Sequence, residues 1–269
     1  GNLKSLELRG DAYVEAGAKL DEVTAIILGV YESGNKIALD EDMYRFRSSD
    51  ETAKMGRAYK VDVIYNDDEN VTAAIPVTVR RSIEGESGLI VGGKKTTETE
   101  YFIVDGEYVA GGRVTFAGGF ANSVKNGKEA SVTYTFDSYV SGFASVTIRC
   151  ANGNLRKDSD GYYMAPLQVN TVLDVTVNGV PYQIGNDVIS AGISVRNDKY
   201  APCYDVFSTF LFENIPLQAG QNTIKFTFKK STKGETNSWG DSPSEFNIDK
   251  LYVDCEGSEV PDTSNVKEI

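Results

Sequence analysis

Residues 217–230 read LQAGQNTIKFTFKK. From Thr223 onward polar and apolar side chains alternate, and a period of two marks a β-strand with one buried face. The residues just before it, AGQN (219–222), carry the glycine and asparagine of a tight turn. Working outward, the same alternation recurs in KVDVIY (60–65), SVTYTF (131–136), ASVTIR (144–149) and LDVTVNG (173–179). Turn signals separate these runs: NDDEN at 66–70, KNGK at 125–128, NGN at 152–154 and NG at 178–179. Only Asp50 to Gly56 offers a single helical turn. The chain is read as all-β.

At 269 residues the chain is long for one domain of roughly 150 residues, so two are expected. It contains no histidine, and Asp plus Glu exceed Lys plus Arg by 39 to 27, a net charge of −12. Absence of imidazole removes Ser-His-Asp and Cys-His nucleophile pairs and every histidine-bearing zinc site. The negative charge argues against nucleic acid and anionic lipid, whose binding depends on basic side chains. What remains is carboxylate chemistry, coordination of hard cations by oxygen, and hydrogen bonding combined with aromatic stacking. The longest apolar stretches, such as TAIILGV (24–30), fall far below the roughly 20 residues that span a bilayer, so a soluble chain without membrane insertion is expected. Cys150, Cys203 and Cys255 permit at most one disulfide among themselves.

A boundary is expected where IPVTV (75–79) runs into Arg80 and Arg81. The following SIEGESGLIVGGKKTTET (82–99) is rich in glycine and poor in alternation. The division is therefore residues 1–81, a linker or extended crossover at 82–97, a larger body at 98–256, and a polar tail at 257–269. Both bodies are acidic.

The first body suits a small sandwich of about seven strands. Its order of LKSLELRGDAYVEAGAKLD (3–21), YESGNKIALD (31–40), MYRFRSSDETAKMGRAYKVDVIY (43–65) and IPVTV resembles the bacterial immunoglobulin-like repeats of secreted surface proteins. That resemblance implies a spacer or presentation module with no active site of its own.

The second body carries YFIVDGEYVAGGRVTFAGGFANSVKNGKEASVTYTF (101–136), GFASVTIRCANGN (142–154), VTVNGVPYQI (175–184), IPLQAGQNTIKFTF (215–228) and FNIDKLYVD (246–254). This order is similar to the family 6 and family 35 carbohydrate-binding modules. There a central strand ends in "R-y-a-n-g", "v-n-G" turns a hairpin, "L-x-x-G-x-N-x-i-k" starts a late strand and "n-i-D-y-i-x-v" closes the fold. The chain departs from the pattern in three places: Cys150 replaces an aromatic, Asp105-Gly106-Glu107 stands for the opening acidic pair, and Tyr204 and Phe207 stand where tryptophans are usual. The resemblance implies a jelly-roll β-sandwich that binds a polysaccharide or other glycan without cleaving it, in a secreted or cell-surface bacterial protein. It also implies a structural Ca2+ between the opening acidic pair and the closing aspartate, which points to Asp105, Glu107 and Asp249.

A pyranose presents a weakly apolar C–H face and a rim of hydroxyls, so its site needs an aromatic face with a few amide or carboxylate partners. The single tryptophan, Trp239, lies in the polar stretch KGETNSWGDSPSE (233–245) with Asn237, Asp241 and Glu245. It either stacks on a ligand or folds back over the end of the sandwich. A second candidate is NLRKDSDGYYMAP (154–166) with Tyr162 and Tyr163. Neighbouring strand residues face opposite ways, so one of the two, Tyr163, is the expected contact. Two other function classes compete: a surface adhesion or assembly module that binds protein, and a glycoside hydrolase, which needs two carboxylates about 5 to 9 Å apart.

Overall fold

The computed structural model describes residues 2–92, 94–96, 102–104, 107–109, 113–115, 130–152, 155–158, 161–164, 167–185, 188–189, 207–228 and 246–255. Its strands are β1 (Leu3–Glu15), β2 (Thr24–Tyr31), β3 (Lys36–Ala38), β4 (Tyr44–Phe46), β5 (Tyr59–Tyr65), β6 (Thr72–Glu84), β7 (Leu89–Val91) and β8 (Lys94–Thr96). There follow β9 (Phe102–Val104), β10 (Glu107–Val109), β11 (Arg113–Thr115), β12 (Ala130–Ser138), β13 (Gly142–Asn152), β14 (Leu155–Asp158), β15 (Gly161–Met164) and β16 (Leu167–Gln168). The last are β17 (Leu173–Val177), β18 (Val180–Tyr182), β19 (Val188–Ile189), β20 (Phe207–Leu217), β21 (Gly220–Phe228) and β22 (Phe246–Cys255). Among the described residues the only helical segments are single turns at Glu41–Met43, Gly85–Ser87 and Val169–Val172. The fold is all-β.

The larger sandwich has two layers. One is β18-β17-β21-β12-β7; the other is led by β20-β13-β22 and continues through β6. Alternation does the work expected of it. Val132, Tyr134 and Phe136 of β12, Val175 of β17 and Phe226 of β21 point inward against Val146 and Ile148 of β13, Phe212 of β20 and Leu251 of β22. A second core gathers Leu6, Val14, Ile27, Val61, Val63, Ile75, Val77 and Val79 from β1, β2, β5 and β6. The first 84 residues hold six strands.

Of the stretch 82–97, expected as a linker or extended crossover, residues 82–84 and 89–91 belong to strands of the sheets. Residues 82–84 complete β6, which pairs along Val79–Glu84 with Cys255–Lys250 of β22. Residues 89–91 form β7 on β12. Gly85 and Gly88 serve close packing rather than freedom. A Cβ on Gly88 would lie 2.5 Å from Val132 Cγ2 and 2.8 Å from Tyr134 Cε1, and Ile83 and Ile90 pack on the larger core. The helical turn expected at Asp50–Gly56 is also absent. The backbone of residues 51–53 bonds to residues 17–20 instead, with Ala53 N–H on Ala18 O at 2.8 Å and Gly17 N–H on Ala53 O at 2.8 Å.

Two sequence signatures turn out to be one hydrogen-bond knot. Asn178 and Gly179 turn the β17–β18 hairpin with φ of 52° and 79°, the left-handed pair of a tight two-residue turn. Asn178 Nδ2 donates to Asn222 Oδ1 at 2.9 Å, and Asn178 Oδ1 accepts from Thr223 N–H at 2.8 Å. Asn222 is fully buried; its Oδ1 accepts from Gln218 N–H at 2.9 Å and its Nδ2 donates to Gln218 O at 2.8 Å. Asn222→Ala strands these partners, and chemical denaturation should show a loss of about 2 kcal/mol. A loss within error would mean water replaces the amide.

Candidate functional site at one end of the larger sandwich

Strand register brings several separate segments to one end of the sandwich. Asn152, the last residue of β13, pairs with Phe246, the first of β22, while Ala151 pairs with Phe207, the first of β20. Leu173 and Ala130, the first residues of β17 and β12, both pair with Phe228, the last of β21. The ends of β13 and β21 and the starts of β12, β17, β20 and β22 thus meet at this end of the sandwich. Tyr162 and Tyr163 belong to the β14–β15 hairpin, opposite Lys157 and Arg156. Their side chains, and Asn237, Trp239, Asp241 and Glu245 altogether, lie outside the described residues.

Just inside this end sits Asp249. The β13–β22 ladder passes from Arg149↔Lys250 to Cys150↔Ile248, so Asp249 is the extra residue of a β-bulge. A bulge re-aims a side chain, and here it turns a carboxylate into the protein, where it is 5% exposed. Arg149 Nη1 donates to Asp249 Oδ2. Burial pushes the Asp249 carboxyl above its ordinary value; Arg149 draws it down, and Glu84 and Glu86 add to the rise.

Glu84, Gly85 and Glu86 lie against Asp249. Glu84 ends β6 opposite Lys250 and pairs with its ammonium at 2.8 Å. Gly85 approaches the backbone of β22 so closely that a Cβ would meet Ile248 O at 2.1 Å. The Tyr134 hydroxyl donates to Gly85 O at 2.9 Å in the core. Burial first, then the negative charges of Glu86 and Asp249, push that hydroxyl far above the usual phenol range. Glu86 Oε2 is buried without a hydrogen-bond partner. An orphaned carboxylate oxygen beside a second buried carboxylate has the chemistry of a site for a hard cation. Among the described residues no three acidic or thiol side chains converge as a complete ligand set.

Of the residues expected to hold a metal, only the Asp249 side chain is described. Asp105 lies outside the described residues, and Glu107 begins β10 with its side chain outside them. Sequence pattern does not single out Glu84 and Glu86, because they lie in the stretch expected as a linker or extended crossover. Their signal was an E-x-E pair directly following the strand run IPVTVRRSI.

The cysteines are further constrained. Cys255 pairs with Ala144 and Cys150 with Ile248, seven residues apart along β22, which at roughly 3.3 Å per residue rules out a bridge between them. Any disulfide within the chain would need Cys203, outside the described residues.

A small cleft of about 180 Å³ lies between β18 and β20, where the Tyr182 hydroxyl donates to Glu213 O at 2.7 Å. It is below the roughly 300 to 1,000 Å³ of typical small-molecule pockets.

No family model matches the chain, and no curated protein matches it. Solved structures similar to it include a family 35 carbohydrate binding module from Clostridium thermocellum, at 15% identity and TM-score 0.40, covering 66% of this chain and 98% of that one. Another is a family 36 module in complex with calcium and xylotriose, at 12% identity and TM-score 0.31, covering 64% of this chain and 98% of that one. A third is a family 6 module of Cellvibrio mixtus lichenase 5A in complex with cellotriose, at 13% identity and TM-score 0.36, covering 64% and 94%. These likenesses are too distant to assign a role to any residue.

Proposed function

We propose that the larger sandwich is a non-catalytic carbohydrate-binding module, presented by the N-terminal half within a secreted or cell-surface protein. The observation that carries this reading is that the strand ends from which the segments bearing Tyr162, Tyr163, Asn237, Trp239 and Asp241 depart, those of β13, β21 and β22, lie at one end of the sandwich. It joins to the ordered sequence signatures that resemble the family 6 and 35 modules. In this reading Trp239 stacks on a pyranose face and Asn237 and Asp241 bond its hydroxyls. The test is a glycan array: the protein binds at least one glycan class and Trp239→Ala loses roughly tenfold or more in affinity, about 1.4 kcal/mol. Binding unchanged by Trp239→Ala would sink the assignment of the site.

A protein-binding surface module is the competing reading. Phe143 and Tyr139, 64% and 50% exposed near the β12–β13 turn at the opposite end, favour it. Capture of protein but no glycan would select it.

Within the module, a bound Ca2+ would take Asp249 and Glu86 as its first carboxylates. Support comes from the orphaned Glu86 oxygen and from the raised Asp249 carboxyl. At a hundredfold excess over the dissociation constant such a ligand stabilises by about 2.7 kcal/mol. The unfolding midpoint should then rise roughly 5 to 10 °C over the chelated protein, and Glu86→Gln should abolish the rise. Equal midpoints with calcium and chelator would exclude the site.

A further inference from the structure

We infer that the N-terminal half is a fixed base for the larger sandwich, reorienting and unfolding with it as one body, rather than a tethered spacer. Halves joined by a plain connector are expected to move relative to one another unless a large apolar interface prevents it. Two separate locks prevent it here.

The first lies along β6. One strand pairs in parallel with β1, from Tyr13↔Thr78 to Glu15↔Arg80, and antiparallel with β22 from Val79↔Cys255 to Glu84↔Lys250. Backbone ladders of both halves therefore overlap on the same residues. Arg80 tightens the overlap, donating from Nε and Nη2 to Asp254 at 2.6 and 2.8 Å. Its guanidinium lies 3.7 Å from the Tyr13 ring centroid and 4.9 Å from that of Tyr252. A planar cation stacked on an aromatic from each half, with a bidentate carboxylate, has little freedom to rotate. Glu15 of β1 adds a second tie by accepting from Ser82 N–H and Oγ–H at 2.8 and 2.9 Å.

The second lock lies at the β12–β13 turn. Met55, from the N-terminal half, is 4% exposed and belongs to the core of the larger sandwich. Its carbonyl accepts from Tyr139 N–H at 2.7 Å. Gly56, at φ of 86°, brings the chain in so closely that a Cβ would lie 2.9 Å from Ser138 Oγ. A joint held at one point can hinge, whereas one held at two separate points cannot without breaking a core contact.

The test uses the full chain. Residual dipolar couplings measured in a weakly aligning medium should fit one alignment tensor for both halves, and calorimetry should give one transition whose calorimetric and van't Hoff enthalpies agree. Two distinct tensors, or two transitions, would overturn the inference. Arg80→Ala combined with Met55→Ser should separate the tensors or split the transition. An unchanged tensor and an unshifted midpoint in that variant would overturn the assignment of the locks to these side chains. None of these readouts involves glycan or calcium, so their outcome is independent of the proposed binding function.

Discussion

A fragment of residues 98–256, the larger body as bounded by sequence pattern, is expected not to fold. It lacks the Val79–Glu84 stretch of β6, which is the ladder partner of β22, and it lacks β7, the partner of β12. It also loses Ile83 and Ile90 from the core. Both are only partly buried, so each contributes less than the about 1.5 to 3 kcal/mol of a fully buried side chain of that size. Removing Gly85 takes away the acceptor of the Tyr134 hydroxyl, which is 1% exposed, and a buried unsatisfied hydroxyl costs about 1 to 3 kcal/mol. Losing Met55 opens the far end of the same core. Against a total stability of about 5 to 15 kcal/mol these losses are comparable with the whole. The fragment should show collapsed amide dispersion and lost near-ultraviolet dichroism, while residues 1–256 give a native spectrum. A well-dispersed spectrum from 98–256 would show that the stretch before it is dispensable.

Gly85→Ala should be the most damaging single substitution, at about 4 kcal/mol in urea unfolding. Its added methyl would fall 2.1 Å from Ile248 O and 2.7 Å from Asp249 O. Both are backbone atoms inside β22, which is held on its other edge by β13, so no side chain can swing aside to relieve the overlap. The strand and the 84–86 turn must part, loosening the Tyr134–Gly85 hydrogen bond and carrying Glu86 away from Asp249. By contrast, Gly179→Ala meets nothing within 4 Å and is strained only by its φ of 79°, so the two substitutions separate crowding from backbone strain. A loss below about 1 kcal/mol for Gly85→Ala would mean that β6 and β22 yield easily.

The fold was legible wherever the information was local. Alternation located the strands, and Asn178-Gly179 announced its turn, because a half-buried strand and a tight hairpin each impose their pattern on adjacent residues. The bulges too left a trace. In FNIDKLYV the inward residues Ile248 and Leu251 stand three apart rather than two, and in FLFENIPL so do Phe212 and Ile215. Each break in phase coincides with a register shift in the ladders of β13.

What escaped the reading was set by distant partners. Gly85 and Gly88 resemble the glycines of a loose connector, and their requirement comes from Ile248 and Val132, far away in sequence. Met55 carries no local mark of filling a core built almost wholly from residues after 130. At the candidate site, the family resemblance alone points to Asp249, whereas Glu84 and Glu86 come into view once β6 is seen to run past Arg81.

Ile75, Val77, Val79 and Ile83 share one parity of β6, the first three serving the smaller core and the last packing on the larger. A slip of one residue along this strand would turn all four to the wrong face together. Mispairing on either side is thus penalised twice, and whichever half condenses first proofreads the alignment of the other.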